Sequence, residues 1–81
     1  MAKGINDRRY VALLSQLVDR RKALGLTQQQ LADRIGNIQR YVSKYETGER
    51  RLDVGEFIDI AQALGLDAGR MVSDAVDPIG R

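Results

Sequence analysis

The sequence predicts an all-α protein in which five short helices form one compact domain. Three observations support this prediction: apolar residues recur at helical spacing, residues that cap helices precede several of these stretches, and glycines follow them. The chain has 81 residues, which is enough for a single small hydrophobic core. Hydrophobic residues make up 43% of the sequence, as expected for a folded protein rather than a disordered chain.

The first helix is predicted over residues 7–24, after a flexible arm at residues 1–6, and Gly25 is expected to end it. Five apolar residues at helical spacing predict its inward face: Val11, Leu14, Leu17, Val18 and Leu24. Arg21 lies on the same face. Because an unpaired buried charge opposes folding by several kcal/mol, Arg21 is expected to have an acidic partner.

The second helix is predicted to begin at Gln28, because Thr27 and Gln30 have the spacing of a capping box. In that motif each side chain accepts a hydrogen bond from the other residue's backbone amide. Three apolar residues form the inward face of this helix: Leu31, Ala32 and Ile35. Gly36 can adopt the positive φ that ends a helix, so the helix is expected to end near Ile35.

The third helix is predicted to have two distinct faces and to end at Gly48. Its inward face is formed by three apolar residues: Ile38, Val42 and Tyr45. Its opposite face carries four polar residues and no carboxylate: Gln39, Arg40, Ser43 and Lys44. Glu46 follows Val42 by four residues and therefore borders the inward face, which makes it the expected partner of Arg21.

The fourth helix is predicted by a second capping pair, Asp53 and Glu56, and Gly65 is expected to end it. Five of its residues are expected to face the core: Val54, Phe57, Ile58, Ala61 and Leu64. The helix is expected to act as scaffold.

Asp67 can cap a fifth helix that runs through about residue 76. The Asp-Pro pair that follows stops the helix and begins a tail at residues 77–81, so the domain is predicted over residues 7–76. Two residues are expected to complete the core, Met71 and Val72, and two to contact a second copy of the chain, Val76 and Ile79.

The composition excludes several classes of function. The chain contains no cysteine and no histidine, which removes disulfides, thiol nucleophiles, imidazole bases and nearly every zinc site. Without a Ser-x-x-Lys pair or a cluster of carboxylates, no catalytic residue and no cofactor are expected. No apolar run approaches the roughly 20 residues that cross a bilayer, so we expect a cytoplasmic protein with no membrane partner.

The charges are divided along the chain. Residues 1–51 carry 11 basic and 5 acidic side chains, whereas residues 52–81 carry 2 basic and 6 acidic ones. A domain with its positive charge concentrated around two short helices is polarised toward a polyanion.

The polar face of the third helix suggests which polyanion this is. Glutamine and arginine can each make two hydrogen bonds to a base edge in the major groove of DNA, and serine and lysine can reach bases or phosphates. The polar face of an arbitrary helix usually contacts only water. Here three neighbouring features favour DNA: the capping box, the small residues Ala32 and Gly36 between the helices, and the basic pair Arg50 and Arg51. Residues 28–46 are therefore predicted to form a helix-turn-helix.

Three segments of the chain resemble the Cro/cI-type, Xre-like helix-turn-helix family of bacterial and phage transcriptional regulators. The segments are GLTQQQLA, YVSKYETGERR and IAQALGL, and the resemblance extends over residues 17–72. It implies that one set of side chains faces base edges: Gln39, Arg40 and Lys44, with Ser43 beside them. It implies that another set contacts DNA phosphates: Gln28 at the start of the second helix, and Arg50 and Arg51 in the loop.

The resemblance also implies an ion pair between Arg21 and Glu46 that joins the first helix to the third. One position departs from the family pattern, because Asn37 and Ile38 follow the turn glycine where the family usually has an apolar residue and then serine or threonine. Asn37 is therefore expected to cap the third helix. Two roles remain open for Tyr41: its ring can pack beside Ile38, and its hydroxyl can reach a phosphate.

The sequence thus predicts a sequence-specific binder of double-stranded DNA that regulates transcription, acting as a homodimeric repressor on an inverted-repeat operator. A phage Cro-like or prophage regulator, a controller of a restriction system and an antitoxin all fit this description. The alternative is a protein-interaction module on the same scaffold, such as the antitoxin of a toxin pair, whose polar face binds an acidic protein partner.

Overall fold

The computed structural model describes residues 7–76, which form five α-helices and no strand. The helices are α1 (Arg8–Ala23), α2 (Gln28–Arg34), α3 (Gln39–Thr47), α4 (Val54–Ala63) and α5 (Ala68–Ala75). The predicted all-α fold is confirmed. The predicted arm at residues 1–6 and the predicted tail at 77–81, with its Asp-Pro stop and Ile79, lie outside the described residues.

Side chains cap four of the five helices at their first residues. Asp7 accepts from the backbone amide of Arg9 at 2.8 Å, and Asp67 accepts from that of Arg70 at 3.0 Å. Both predicted capping boxes are present with both of their hydrogen bonds, Thr27 with Gln30 and Asp53 with Glu56. These local signals explain why the helix starts were predictable.

The start of α3 differs from the prediction, since Asn37 does not cap it. The helix begins at Gln39, and Ile38 occupies the cap position without a side-chain hydrogen bond. Asn37 instead completes the end of α2, because its backbone amide donates to the Ala32 carbonyl at 2.9 Å. The backbone amide of Gly36, whose φ is 68°, donates to the Asp33 carbonyl. This pair of bonds is the Schellman motif. The side-chain oxygen of Asn37 accepts from the Ile38 amide at 2.9 Å and therefore does not cap the helix.

The core lies where the five helices meet. Its buried members are Leu17, Leu31, Ala32, Val42, Tyr45, Leu52, Ile60, Ala61, Leu64 and Met71. Several residues that were predicted to face inward are instead exposed: Val11, Leu24, Ile38, Val54, Ile58 and Val72. The buried face of α4 centres on Ile60 and Ala61, and at about 100° per residue Ile58 is rotated toward solvent. Val54 lies on the same side as Ala61, but it is the first residue of the helix and is exposed.

Two arginines fix the C-terminal end of α4 against its neighbours. Arg20 of α1 donates from Nε to the Leu64 carbonyl at 2.9 Å, and Arg34 of α2 donates to the Ala63 carbonyl at 3.2 Å. These carbonyls have no partner within their own helix, and positive charge is favourable at a helix C-terminus. Of the five helices in residues 7–76, none is long and apolar enough to span a membrane.

Candidate nucleic-acid interface

Helices α2 and α3 form a helix-turn-helix whose turn comprises residues 35–38. Ala32 is fully buried at the contact between the helices. Gly36 was expected to permit close packing, but a Cβ atom at that position would meet nothing within 4 Å. Glycine is favoured there because the backbone has a φ of 68°, which residues with a Cβ atom disfavour.

A buried ion pair attaches α1 to α3. Arg21 donates from Nε to Glu46 Oε2 at 2.7 Å and from Nη2 to Glu46 Oε1 at 3.0 Å, and its Nη1 donates to the Leu26 carbonyl at 2.7 Å. The two side chains are only 10% and 8% exposed. The hydrogen bonds to Glu46 raise the pKa of Arg21, so the guanidinium remains charged despite its burial.

Hydrogen bonds extend from this ion pair to the surface of α3. Gln28 donates from its amide to Glu46 Oε1 at 2.9 Å, and Gln39 donates to the amide oxygen of Gln28 at 2.6 Å. Gln28 is half-buried and Gln39 is exposed. The first side chain of α3 is therefore fixed in position through a chain of bonds that begins in the core.

The four polar residues predicted on one face of α3 all lie outside its buried stripe. Gln39 and Arg40 are exposed, Ser43 and Lys44 are half-buried, and Val42 and Tyr45 are fully buried. Thr47 lies on the same side of α3 at about 100° per residue, although it was not among the predicted contacts. Its hydroxyl donates to the Lys44 carbonyl at 3.1 Å.

The loop after α3 places Arg50 between two elements. The Arg50 guanidinium lies 4.9 Å from the centroid of the Tyr41 ring, and it donates to both carboxylate oxygens of Glu56 at 2.9 and 2.7 Å. Tyr41 packs edge-on against Tyr45, with 5.7 Å between ring centroids. Partial burial raises the pKa of the Tyr41 hydroxyl, and the negative charge of Glu56 raises it further. The hydroxyl is therefore protonated at neutral pH and can donate a hydrogen bond.

The next residue, Arg51, contacts a different helix. Its guanidinium lies 4.5 Å from the centroid of the Tyr10 ring of α1, and the Tyr10 hydroxyl accepts from the Leu52 amide at 3.1 Å. The two consecutive arginines, predicted together as phosphate contacts, are thus directed to α3 and to α1 respectively. Nothing in the spacing of the sequence distinguishes them.

Comparison with known proteins identifies the family of this domain. A helix-turn-helix family model matches residues 17–70, which is more than half of the chain. The chain belongs to the XRE-type helix-turn-helix family. Such XRE-type domains are DNA-binding regulators and not enzymes, so the chain is a DNA-binding regulator by family.

Among solved structures, this XRE-type domain is similar to an XRE-family like protein from Pseudomonas syringae pv. tomato str. DC3000. The two chains share 46% sequence identity and a TM-score of 0.81, and the match covers 90% of this chain and 89% of the other. No curated protein sequence matches the chain.

The XRE-type domain has a second notable surface, an apolar groove formed by α1, α4 and α5. Its lining includes Leu13, Leu14, Phe57 and Val72. A neighbouring depression shares Leu13 and Val72 and reaches Val76. Val72 and Val76 are 46% and 57% exposed, so apolar area remains in contact with water at this groove.

Proposed function

We propose that this protein binds a specific double-stranded DNA operator and regulates transcription by occupying it. The observation that carries the proposal is the carboxylate-free face of α3, which is held in place from below by the buried Arg21–Glu46 pair. Because this face is rigidly supported, its side chains need little reordering to meet base edges. The proposed base contacts are Gln39, Arg40, Ser43 and Lys44.

We propose phosphate contacts at the two ends of this face. The proposed residues are Gln28, Tyr41, Arg50 and Arg51. Gln28 adjoins Gln39 through their hydrogen bond, and Arg50 adjoins α3 because its backbone amide donates to the Lys44 carbonyl at 3.2 Å. Arg51 lies on the Tyr10 ring, and an exposed contact of this kind stabilises by only about 0.5 to 1 kcal/mol, so a phosphate can compete for the guanidinium.

We also propose that the protein acts as a homodimeric repressor, with the apolar groove beside α5 as the surface shared by two copies. The exposed Val72 and Val76 support this, and Ile79 follows them in sequence. A twofold dimer would place two copies of α3 about one helical turn apart on DNA, roughly 34 to 36 Å, and would read an inverted repeat. Bound near a promoter, such a dimer would exclude polymerase, and this role places it in the cytoplasm.

Selection from a pool of random duplexes, followed by titration of the enriched sequence at several salt concentrations, tests the proposal. We expect an inverted repeat with half-sites about one turn apart and a steep inverse dependence of affinity on salt. Enrichment of single half-sites would contradict the dimer alone. No enrichment and no salt-sensitive binding would reject the DNA-binding proposal and favour the protein-interaction alternative.

A further inference from the structure

Glu56 has two roles in the structure at the same time. Its Oε1 accepts from the Asp53 amide at 2.9 Å, which closes the capping box of α4. The same carboxylate receives Arg50 in a two-point ion pair, with Nη1–Oε1 of 2.9 Å and Nη2–Oε2 of 2.7 Å. Arg50 Nη1 also donates to the Arg51 carbonyl at 3.1 Å, so the guanidinium has a fixed orientation.

The capping role does not by itself require an acid. In the capping box of α2 the corresponding residue is Gln30, whose Oε1 accepts from the Thr27 amide at 2.9 Å, the same distance as for Glu56 and Asp53. A glutamine therefore closes this motif in the same chain. What Glu56 adds is a negative charge, and that charge is directed at Arg50.

The charge of Arg50 is relevant to DNA binding because salt-dependent affinity follows the number of phosphates that a protein neutralises. Arg50 adjoins α3 through the Tyr41 ring and the Lys44 carbonyl, so it lies beside the proposed reading face. A guanidinium that is already paired with a carboxylate brings hydrogen-bond donors to a phosphate but little net charge.

We infer that Glu56 is a positioning residue that holds Arg50 on Tyr41 and offsets its charge, and thereby limits the sequence-independent part of DNA affinity. This inference rests on the proposed function. In the wild-type protein, Arg50 would therefore orient the domain on the DNA backbone more than it attracts the domain to DNA. The pairing thus lowers attraction to any duplex while it keeps one backbone contact in a defined geometry.

The test compares the wild-type protein with three variants, using a fluorescent random-sequence duplex over a range of salt concentrations. Glu56→Gln retains the capping bond and frees Arg50. The double variant Glu56→Gln with Arg50→Gln removes the freed cation. Asp59→Asn is the matched control, because Asp59 is exposed, lines the same depression as Tyr41 and Glu56, and forms no ion pair within residues 7–76.

For Glu56→Gln we expect the slope of log affinity against log salt to steepen by about 0.9. With equal affinities at 1 M salt, this makes affinity for the random duplex about eightfold higher at 0.1 M salt. The double variant should return to the wild-type slope, and Asp59→Asn should keep it. Thermal unfolding of each variant checks that the fold is intact.

Three results would overturn the inference while leaving DNA binding in place. The first is an unchanged slope in Glu56→Gln, and the second is an equal change in Asp59→Asn, which would reveal a general charge effect. A double variant that kept the steeper slope would also overturn it, because Arg50 would not be the source. If none of the four proteins bound DNA in a salt-dependent way, the proposed function itself would fail, and the inference with it.

Discussion

The face around α3 is polar and supported by hydrogen bonds, whereas the groove beside α5 is apolar and open to solvent. On the first, Gln39 is connected to the buried Glu46 through Gln28. On the second, Val72 and Val76 have no such support and remain about half exposed. The first surface is therefore ordered before any ligand arrives, while the second gains stability only when another apolar surface covers it.

The largest expected effect comes from breaking the support of the polar face. Glu46→Ala leaves Arg21 charged and nearly buried without its carboxylate, so we expect the free energy of unfolding to fall by about 3 to 5 kcal/mol. Urea denaturation measures this loss. Glu49→Ala is the control, because Glu49 is 65% exposed and only 3.9 Å from Lys44; its loss should stay within about 0.5 kcal/mol. Similar losses in both variants would contradict the role assigned to the ion pair.

A charge placed in the groove tests the second surface. Val72→Lys should weaken the dimer by about 1.5 to 3 kcal/mol, because valine loses its apolar contact and lysine must be desolvated. Val11→Lys is the control, since Val11 is 49% exposed and does not line the groove. Sedimentation equilibrium of both variants measures the dimer constant. Equal dimerisation of Val72→Lys and the wild-type protein would place the interface elsewhere.

Tyr45 lies on the buried side of α3, and the hydrogen bonds that support the polar face do not reach its hydroxyl. Its hydroxyl is fully buried, has no hydrogen-bond partner within residues 7–76, and has its pKa raised by burial. We expect Tyr45→Phe to increase stability by about 1 kcal/mol, because an unpaired buried hydroxyl is removed. Tyr10→Phe should act in the opposite direction, since it deletes the bond from the Leu52 amide. Thermal unfolding of both variants would show the opposite signs, and a destabilised Tyr45→Phe would contradict the reasoning.

The smallest expected effect is the response of the Arg50–Glu56 pair to acid. The hydrogen bonds from Arg50 lower the pKa of Glu56 from its ordinary 4.5 to about 2. Since the unfolded carboxylate takes up its proton near pH 4.5, the stabilisation is complete above that pH and disappears as the pH falls to about 2. The stability difference between the wild-type protein and Glu56→Gln should shrink across this window. Denaturation at a series of pH values measures it, and a difference that did not depend on pH would refute the pairing.

Helix boundaries were predictable wherever the signal lay within a few residues. The Thr27 and Asp53 capping boxes and the glycine after α3 needed no knowledge of the rest of the chain. The start of α3 was wrong by one residue: Ile38 holds the cap position, and the Asn37 side chain accepts from the Ile38 amide at 2.9 Å instead of from an amide inside the helix. The inward face of α4 was partly wrong because its apolar residues span a wide arc of the helix surface, and the sequence does not fix which part of that arc the other helices cover.

The contacts at the candidate site were likewise predictable on regular helices but not in loops or between helices. The Arg21–Glu46 pair could be anticipated because both residues border apolar stripes on regular helices. The contacts of Arg50 and Arg51 could not, because a loop determines where adjacent side chains point. Gln28 was expected to contact a phosphate directly, and its bonds to Glu46 and Gln39 emerge only when α2 and α3 are placed together. The assignment of individual DNA contacts stays a prediction.

The most direct test of the account is the base preference of Arg40→Ala, measured beside the wild-type protein on one library of operator variants. Arg40 is exposed on the polar face of α3 and takes no part in the hydrogen bonds of the Arg21–Glu46 pair. If it reads a base edge, the variant should lose about 1 to 3 kcal/mol on the preferred operator and accept other bases at one position of each half-site. An identical base preference, with affinity lowered equally for every sequence, would contradict the claim that this face of α3 reads DNA.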